Sequence, residues 1–348
     1  MSSAISENLY ANLGKSGLKV SKVIVGCMSF GLKSWADWVI EDEEKIFAVL
    51  KKCYDSGIRT FDTADVYSNG HSEVLLGKFI KKYNIKRDKI VILSKLFFPV
   101  DADTPGFSLS KVAEFPVHEY INSKGLSRKH ILDAVANSVK RLDTYIDVLQ
   151  IHRFDPTTPI EETMSALHDT VKSGQVRYIG ASTMKTYQFV MMQSIAEQNH
   201  WTKFISMQNY YNLLYREEER EMNQYCKETG VSIIPWSPNA RGLLTRPILE
   251  KLGDTSRANT DSTYQKLGLD KISDSDKAII ARVEEVAKSK NVSMASVATA
   301  WVLHKGGYPI VGFSKPERVD DALVALSLSL TDDEIKYLEE PYIPQYPI

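Results

Sequence analysis

Apolar residues recur along this chain in two alternating patterns, one typical of β-strands and one typical of α-helices. Eight short runs, rich in β-branched or aromatic residues, have the length and composition of buried strands. These runs span residues 23–26, 59–61, 90–93, 146–151, 176–180, 204–207, 231–235 and 309–311. Helical spacing of apolar residues follows each run, as in Ile46, Val49, Leu50 and Cys53. Strand–helix alternation of this kind predicts a parallel sheet.

The number of strand–helix units predicts the architecture. Eight units in one chain of 348 residues favour the α/β class and a closed (β/α)8 TIM barrel, as a single domain over residues 1–348. A doubly wound open sheet is the structural rival. Its usual GxGxxG segment after the first strand is absent, and so is the GxxxxGK[ST] phosphate loop.

Several segments lie outside this regular alternation. Residues 9–20, with Gly14 and Gly17 between short apolar stretches, predict an N-terminal β-hairpin that closes the bottom of the barrel. Thr331 and Glu334 have capping-box spacing, which predicts a C-terminal helix and tail over about 331–348. Residues 97–124 and 247–274 predict long loops at the C-terminal face, where loops of this length are usually functional.

Composition and charge narrow the class of protein. The chain is 43% apolar and 25% charged with a formal net charge of −1, so nothing favours nucleic acid or an anionic membrane as a partner. No apolar run approaches the roughly 20 residues of a membrane span, and no secretory signal is visible. Cys27, Cys53 and Cys226 lie far apart, which fits a reducing compartment. We therefore expect a cytoplasmic protein.

Four polar residues follow the predicted strands at the end where a barrel carries its chemistry. Asp62 and Tyr67 follow the second run, Lys95 the third and His152 the fourth. A nearby ammonium lowers the pKa of a phenol from about 10, so Lys95 would make Tyr67 a better proton donor. Asp62 would neutralise the buried Lys95, and His152 could hydrogen-bond a carbonyl oxygen.

Each of these residues, taken singly, has an ordinary structural explanation. Asp62 could be a turn or cap residue, Tyr67 could serve packing, and Lys95 could extend to solvent. His152 could be a hydrogen-bonded core residue. The occurrence of all four at consecutive strand ends favours a catalytic set that transfers protons.

Four segments resemble those of the aldo-keto reductase superfamily, in the same order along the chain. They are FDTADVYSNGHSEVLLGK at residues 61–78, GASTM at 180–184, SPNARGLL at 237–244 and IVGFSKPER at 310–318. Within the superfamily the chain is most similar to the fungal aryl-alcohol-dehydrogenase-like branch. The resemblance implies NADPH-dependent reduction of aldehydes and ketones on a (β/α)8 barrel, by a protein that is more often a monomer than an oligomer and holds no metal.

The resemblance also implies which residues bind the cofactor, NADPH or NADP⁺. Ser182, Thr183 and Gln208 would contact the nicotinamide carboxamide, and Trp236 would stack on the ring. The full set is Gly26, Met28, Asp62, Ser182, Thr183, Gln208, Trp236, Ser237, Pro238, Arg241, Gly242, Leu243, Gly312, Ser314, Lys315, Arg318 and Asp321. The hydroxyl of Ser314, the ammonium of Lys315 and the guanidinium of Arg318 suit a 2′-phosphate and favour NADP over NAD.

The chain departs from the family pattern at three of these places. Thr183 and Ala322 stand where Asn is common, and Asn239 stands where Leu is common. Thr183 affects the expected carboxamide contact, Ala322 the adenine contact and Asn239 the pyrophosphate contact. Asp321 could contact the adenine instead. None of them affects the four catalytic positions.

The substrate entrance is predicted to be aromatic. Trp35, Trp38, Phe97 and Phe98 come from loops expected at the barrel mouth and suit a small carbonyl substrate, such as an aryl or short aliphatic aldehyde. Two alternatives stay open. The family includes potassium-channel β subunits, so the chain could be an NADPH-binding regulatory subunit with little turnover. Lys95 could instead form a Schiff base, although pairing with Asp62 would keep it protonated and non-nucleophilic.

Overall fold

Eight parallel strands form a sheet that closes on itself in the computed structural model, which describes residues 8–104, 107, 109–248, 260–261 and 266–347. Neighbouring strands follow the order β10-β3-β4-β5-β6-β7-β8-β9. They are β3 (Ile24–Gly26), β4 (Thr60–Asp62), β5 (Val91–Leu96), β6 (Ile146–Ile151), β7 (Val176–Ser182), β8 (Phe204–Gln208), β9 (Ser232–Ile233) and β10 (Ile310–Gly312). Just past β9, Trp236 bridges to Ile310 in parallel, and the Ile310 amide donates to Pro235 O at 2.8 Å. The predicted (β/α)8 barrel is confirmed.

Helices surround this sheet, and most of them pack an apolar face on it or on a neighbouring helix. They are α1 (Glu43–Asp55), α2 (His71–Lys82), α3 (Val117–Tyr120), α4 (Arg128–Leu142), α5 (Ile160–Lys172), α6 (Thr186–Gln198), α7 (Met222–Thr229), α8 (Asp274–Ser289), α9 (Met294–His304), α10 (Arg318–Ser327) and α11 (Asp332–Glu339). The apolar face predicted from Ile46, Val49, Leu50 and Cys53 is buried in α1. Thr331 and Glu334 form a capping box at α11, because each side chain accepts a backbone N–H of the other.

Two apolar layers contain side chains of the barrel strands. The larger layer lies between the strands and the helices, where residues such as Phe61, Leu149 and Phe204 are buried. A smaller cluster inside the lower part of the barrel contains Leu13, Val20, Ile24, Leu93, Val148, Ile234 and Ile310. The side chains of the inner cluster fill the barrel, so only its upper end is left to the polar groups at the strand ends.

The predicted N-terminal hairpin covers the bottom of the barrel. Strands β1 (Tyr10–Asn12) and β2 (Lys19–Ser21) pair antiparallel. In the turn between them, the Gly14 amide donates to Ser232 Oγ at 2.6 Å and the Lys15 amide to Gly230 O at 2.8 Å. Gly230 and Ser232 lie at the start of β9, so the hairpin is anchored to the N-terminal ends of the strands.

The two long loops differ in how much of them the structure describes. The described residues of the 97–124 loop, which follows β5, are irregular apart from a 3₁₀ turn at Val112–Glu114 and the short α3. Most of residues 247–274 lie outside the described residues, and the described helix α8 begins at Asp274. In the described parts of the chain, no helix is both long and apolar enough to cross a membrane.

A substitution in the turn of the N-terminal hairpin tests how the hairpin is anchored to the barrel. A Cβ added at Gly14, which has φ +61°, would lie 2.6 Å from Gly230 O and 2.8 Å from Ile205 O. We expect Gly14→Ala to lower the free energy of unfolding by about 2 kcal/mol, because strain and a backbone clash add. Gly17→Ala is the matched control, since a Cβ there meets nothing within 4 Å. Urea and thermal unfolding midpoints measure both, and equal midpoints would contradict the anchoring of the hairpin.

Candidate active site

Three polar side chains converge at the C-terminal ends of neighbouring strands. The sequence predicted them just past their strands, but Asp62 is the last residue of β4 and Lys95 lies within β5. The ladder extends this far because Asp62 pairs with Leu93 and Lys95 pairs with Gln150. His152 follows β6 directly, and its amide donates to Leu96 O at 2.9 Å.

A strained turn holds Tyr67 beside these strand ends. Tyr67 begins a 3₁₀ turn in which Ser68 and Asn69 have φ of 48° and 53°, which non-glycine residues rarely adopt. Two contacts maintain this conformation. Ser68 Oγ accepts from the Leu32 amide at 3.1 Å, and the Asn69 side chain exchanges two hydrogen bonds with the backbone of Asp101. Tyr67 is therefore fixed by loops that follow β3 and β5.

The Lys95 ammonium is the centre of the site. It contacts the Asp62 carboxylate, and it donates to Thr63 O at 2.9 Å and to Tyr67 Oη at 3.1 Å. These three contacts account for its three N–H donors. Burial alone would lower the pKa of Lys95, but Asp62 and Tyr67 raise it above its ordinary value. Lys95 is therefore protonated, which argues against the alternative in which it forms a Schiff base.

The second Asp62 oxygen is held by two glutamine side chains. Gln150 Nε2 and Gln208 Nε2 each donate to Asp62 Oδ2 at 2.9 Å, and Gln208 Nε2 also donates to Gln150 Oε1 at 2.8 Å. Gln150 was not predicted from the sequence, although its position as a polar residue within a buried apolar strand was a signal. Gln208, expected at the nicotinamide, has its amide nitrogen engaged in this network.

Burial determines the net pKa of Tyr67. It raises the pKa of the phenol, and Asp62 acts in the same direction, while Lys95 and Arg153 lower the pKa. The net pKa lies above the ordinary value, whereas the sequence suggested a lowered one. Lys95 acts in the expected direction but does not outweigh burial, so Tyr67 retains its proton at neutral pH.

His152 is buried next to the phenol as a neutral ring. Its ring centroid lies 5.9 Å from that of Tyr67, edge to face. Burial lowers the pKa of His152 well below its ordinary value, and the charges of Arg153 and Lys95 lower it further. Its buried Nδ1 has no hydrogen-bond partner among the residues that the structure describes. A neutral imidazole offers one N–H donor and one acceptor at this position.

Aromatic side chains surround the polar groups at the mouth. The Trp35 ring lies 6.4 Å from that of Tyr67, and Trp38 packs on Trp35 at 5.8 Å. Phe98 lies 5.1 Å from His152. Three of the four predicted entrance residues therefore lie together around the site.

Phe97 and Met28 differ in their position relative to this group. Phe97 packs against the main core and meets the mouth through its contact with Phe98, at 5.1 Å between ring centroids. Met28 packs with Tyr67, Trp35 and Phe98 in one apolar cluster. Met28, which the resemblance assigned to the cofactor, thus lies beside the aromatic residues of the mouth.

Trp236 lies on the opposite side of the mouth. Its ring packs on Tyr210 with centroids 4.6 Å apart and an interplanar angle of 33°, and its Nε1 donates to Thr183 Oγ1 at 3.1 Å. Ser182 Oγ donates to Gln208 O at 2.6 Å. Trp236, Thr183, Ser182 and Gln208 therefore form one connected group at the ends of β7, β8 and β9.

The loop after Trp236 makes a tight turn. Ser237, Ala240, Arg241 and Gly242 all have positive φ, between 44° and 103°. Arg241 forms a buried ion pair with Asp261. Pro238 is buried, and Leu243 packs its side chain into the core beneath the loop.

The last predicted group lies beyond β10. Gly312 pairs with Gly26 in register at the end of the sheet, and Ser314 and Lys315 follow on the surface. Arg318 begins α10 and lies 3.6 Å from the Asp321 carboxylate, measured from Nη1 to Oδ2. Polar and cationic groups are thus gathered in one exposed segment, away from Lys95.

Arg153 is a further charged residue of the site and was not predicted from the sequence. Its Nη1 donates to His152 O at 2.6 Å, and its guanidinium carbon lies 5.9 Å from the centre of the Phe98 ring. Its position directly after His152 was the available signal. No cluster of metal-ligating side chains occurs within the described ranges.

This chain is similar over almost its whole length to known aldo/keto reductases. The model of the aldo/keto reductase family matches residues 22–343. A Schizosaccharomyces pombe protein provisionally named an aryl-alcohol dehydrogenase is 60% identical, with 98% of each chain covered. Versiconal hemiacetal acetate reductase of Aspergillus parasiticus is 54% identical, with 97% of each covered.

A solved structure shows the same fold. The crystal structure of a thermostable aldo-keto reductase, Tm1743, bound to the inhibitor epalrestat, aligns with a TM-score of 0.73 and 26% identity. The alignment covers 96% of this chain and 99% of the other. On the family match and the identity to these relatives, the chain belongs to the aldo/keto reductase family and is an oxidoreductase.

Proposed function

We propose that the protein reduces aldehydes and ketones to alcohols with NADPH, and that Tyr67 is the proton donor. The observation that carries the proposal is the position of the Lys95 ammonium, 3.1 Å from Tyr67 Oη and in contact with Asp62. A protonated phenol next to a fixed cation can release its proton to a developing alkoxide, because the cation stabilises the phenolate left behind.

The other residues of the set complete this chemistry. Bound NADPH supplies the hydride that the carbonyl carbon receives. Tyr67 transfers its phenolic proton to the carbonyl oxygen as that oxygen gains negative charge. The neutral His152 offers a ring N–H to the same oxygen and orients the carbonyl. Asp62 keeps Lys95 protonated and in place throughout.

The described side chains fit a nicotinamide dinucleotide. Ser314, Lys315 and Arg318 offer a hydroxyl and two cations in an exposed segment, which suits a phosphate monoester. The buried Asn239 Oδ1, in the tight turn after Trp236, accepts no hydrogen bond from the described residues, and a donor from a ligand bound here would satisfy it. Trp236 would stack on the nicotinamide, and Gly26 and Gly312 would allow close approach of the backbone.

The substrate class follows from the mouth of the barrel. Trp35, Trp38 and Phe98 present aromatic faces next to Tyr67 and His152. Aryl or short aliphatic aldehydes fit such an apolar entrance. The name of the S. pombe relative, which refers to aryl alcohols, supports the same class.

The first prediction from the proposed function concerns the proton donor. Tyr67→Phe should lower kcat for reduction of 4-nitrobenzaldehyde at least about 100-fold, because general acid catalysis contributes roughly 10²–10⁴. Fluorescence titration should show that NADPH binding is largely kept. Tyr187→Phe, on the exposed face of α6, is the control and should leave both kcat and NADPH binding unchanged. A near-full rate in Tyr67→Phe would exclude this donor, while NADPH binding without turnover in the wild type would favour the regulatory subunit.

The second prediction concerns pH. Reduction requires protonated Tyr67 and neutral His152, so activity falls as pH rises through the Tyr67 pKa or drops through the His152 pKa. Burial raises the first pKa and lowers the second. We therefore expect kcat/KM for reduction to be nearly constant between about pH 6 and 9. A loss of activity centred near pH 6.5 that disappears in His152→Gln would show that His152 titrates there.

The third prediction concerns cofactor preference. The double substitution Lys315→Met and Arg318→Met should raise the Kd for NADPH roughly 10- to 100-fold, because charge-assisted hydrogen bonds to phosphate are lost. The Kd for NADH should change little, since NADH lacks the 2′-phosphate. Lys129→Met, an exposed lysine on α4, is the control. Equal weakening of both cofactors would contradict a 2′-phosphate site here.

A further inference from the structure

Arg153 lies in the wall of the substrate entrance. Its Nη1 donates to His152 O at 2.6 Å, and its guanidinium carbon is 5.9 Å from the centre of the Phe98 ring. Phe98 in turn contacts the His152 ring at 5.1 Å. The guanidinium is thus held between the backbone of one proposed catalytic residue and an aromatic side chain of the mouth.

The charge of Arg153 has no carboxylate partner among the residues that the structure describes. Three other partly buried arginines have one: Arg87 lies 2.6 Å from Asp147, Arg141 lies 2.7 Å from Glu73, and Arg216 lies 2.6 Å from Glu219. Arginines removed from water are usually paired in this way, because an isolated charge is costly to desolvate.

The hydrogen-bonding capacity of Arg153 is also largely unused. Only Nη1 is engaged, so within the described ranges Nε and Nη2 make no hydrogen bond. These two nitrogens form one edge of the planar guanidinium, the edge that binds a carboxylate through two parallel hydrogen bonds. Neither atom is among the fully buried nitrogens that lack a partner, so each keeps some exposure at the protein surface.

The position of Arg153 also relates it to the reacting groups. Its positive charge lowers the pKa of both Tyr67 and His152, which places it within electrostatic range of the carbonyl that these residues would bind. The net charge of the Asp62–Lys95 pair is close to zero. Arg153 therefore gives the mouth an excess of positive charge.

We propose that Arg153 binds an anionic group of the substrate, so that the favoured substrates are aldehydes or ketones that carry a carboxylate close to the carbonyl. This inference rests on the proposed reductase function and specifies its substrate class. The aromatic wall would hold the body of such a substrate, and the open Nε–Nη2 edge would hold its anionic end.

A matched pair of substrates tests this inference. 4-Formylbenzoate and its methyl ester differ in charge but share the aldehyde and the ring, and the 2- and 3-formyl isomers vary the separation of the two groups. We expect the wild type to have a higher kcat/KM for at least one acid than for its ester. In Arg153→Met this acid-to-ester ratio should fall roughly 10- to 100-fold, as expected for lost charged hydrogen bonds.

The ratio separates anion binding from other roles of Arg153. An effect transmitted through Tyr67 or through the backbone of His152 changes both substrates alike and cancels in the ratio. Arg153→Lys keeps the charge but loses the planar fork, so its ratio should lie between those of the wild type and Arg153→Met. Arg128→Gln removes an exposed arginine paired with Asp169 and should leave the ratio unchanged.

The outcomes distinguish this inference from the proposed function. An active wild type without preference for any acid, or an unchanged ratio in Arg153→Met, would overturn anion binding and leave the reductase intact. A wild type that reduces neither acids nor esters would overturn both. If Arg153→Met does not fold, two other measurements decide whether Arg153 binds an anion. They are the acid-to-ester ratio of Arg153→Lys and the salt dependence of that ratio in the wild type. Anion binding requires that the preference for the acid weaken as ionic strength rises.

Discussion

The buried pair formed by Lys95 and Asp62 is the interaction on which the site depends. Both side chains are almost fully removed from water, where either charge alone would be costly. The remaining hydrogen-bonding capacity of the pair is used by Thr63, Tyr67, Gln150 and Gln208. Because these residues belong to or follow strands β4, β5, β6 and β8, the network joins four strands across the upper end of the barrel. The geometry around Lys95 is therefore fixed before any ligand binds.

Burial shifts the pKa values of the two titratable groups that face the mouth, Tyr67 and His152, in opposite directions. The same removal from water raises the pKa of the Tyr67 phenol and lowers that of the His152 imidazole, because it disfavours the charged form of each. The Tyr67 phenol keeps its proton, and the His152 imidazole stays neutral, over the pH range in which cells operate. Lys95 does not make Tyr67 a strong acid in the resting protein. Its contribution is to limit the rise in pKa that burial causes and to stabilise negative charge when it forms.

The fold, and the convergence of the four candidate catalytic side chains, could be predicted from the sequence because local patterns determine them. The eight apolar runs and the capping box at Thr331 depend on neighbours a few residues apart, and a barrel brings successive strand ends together. The predicted strand ends were less accurate. Asp62 and Lys95 lie inside their strands, because each pairs with a residue of the neighbouring strand. Gln150 and the net pKa of Tyr67 were not predicted, because hydrogen bonds between distant strands and the depth of burial are properties of the packed structure.

The distribution of charge in the mouth relates substrate choice to the reaction itself. Negative charge must develop on the carbonyl oxygen, and an anionic substituent on the substrate makes this more difficult because like charges repel. Asp62 cannot repel the developing charge strongly, because Lys95 lies between it and Tyr67 and neutralises it. A second cation such as Arg153, held beside His152 without a carboxylate partner in the described part of the chain, would offset the charge of such a substituent. An entrance with only aromatic residues would discriminate against anionic carbonyl compounds, whereas this one has a charge available to accept them.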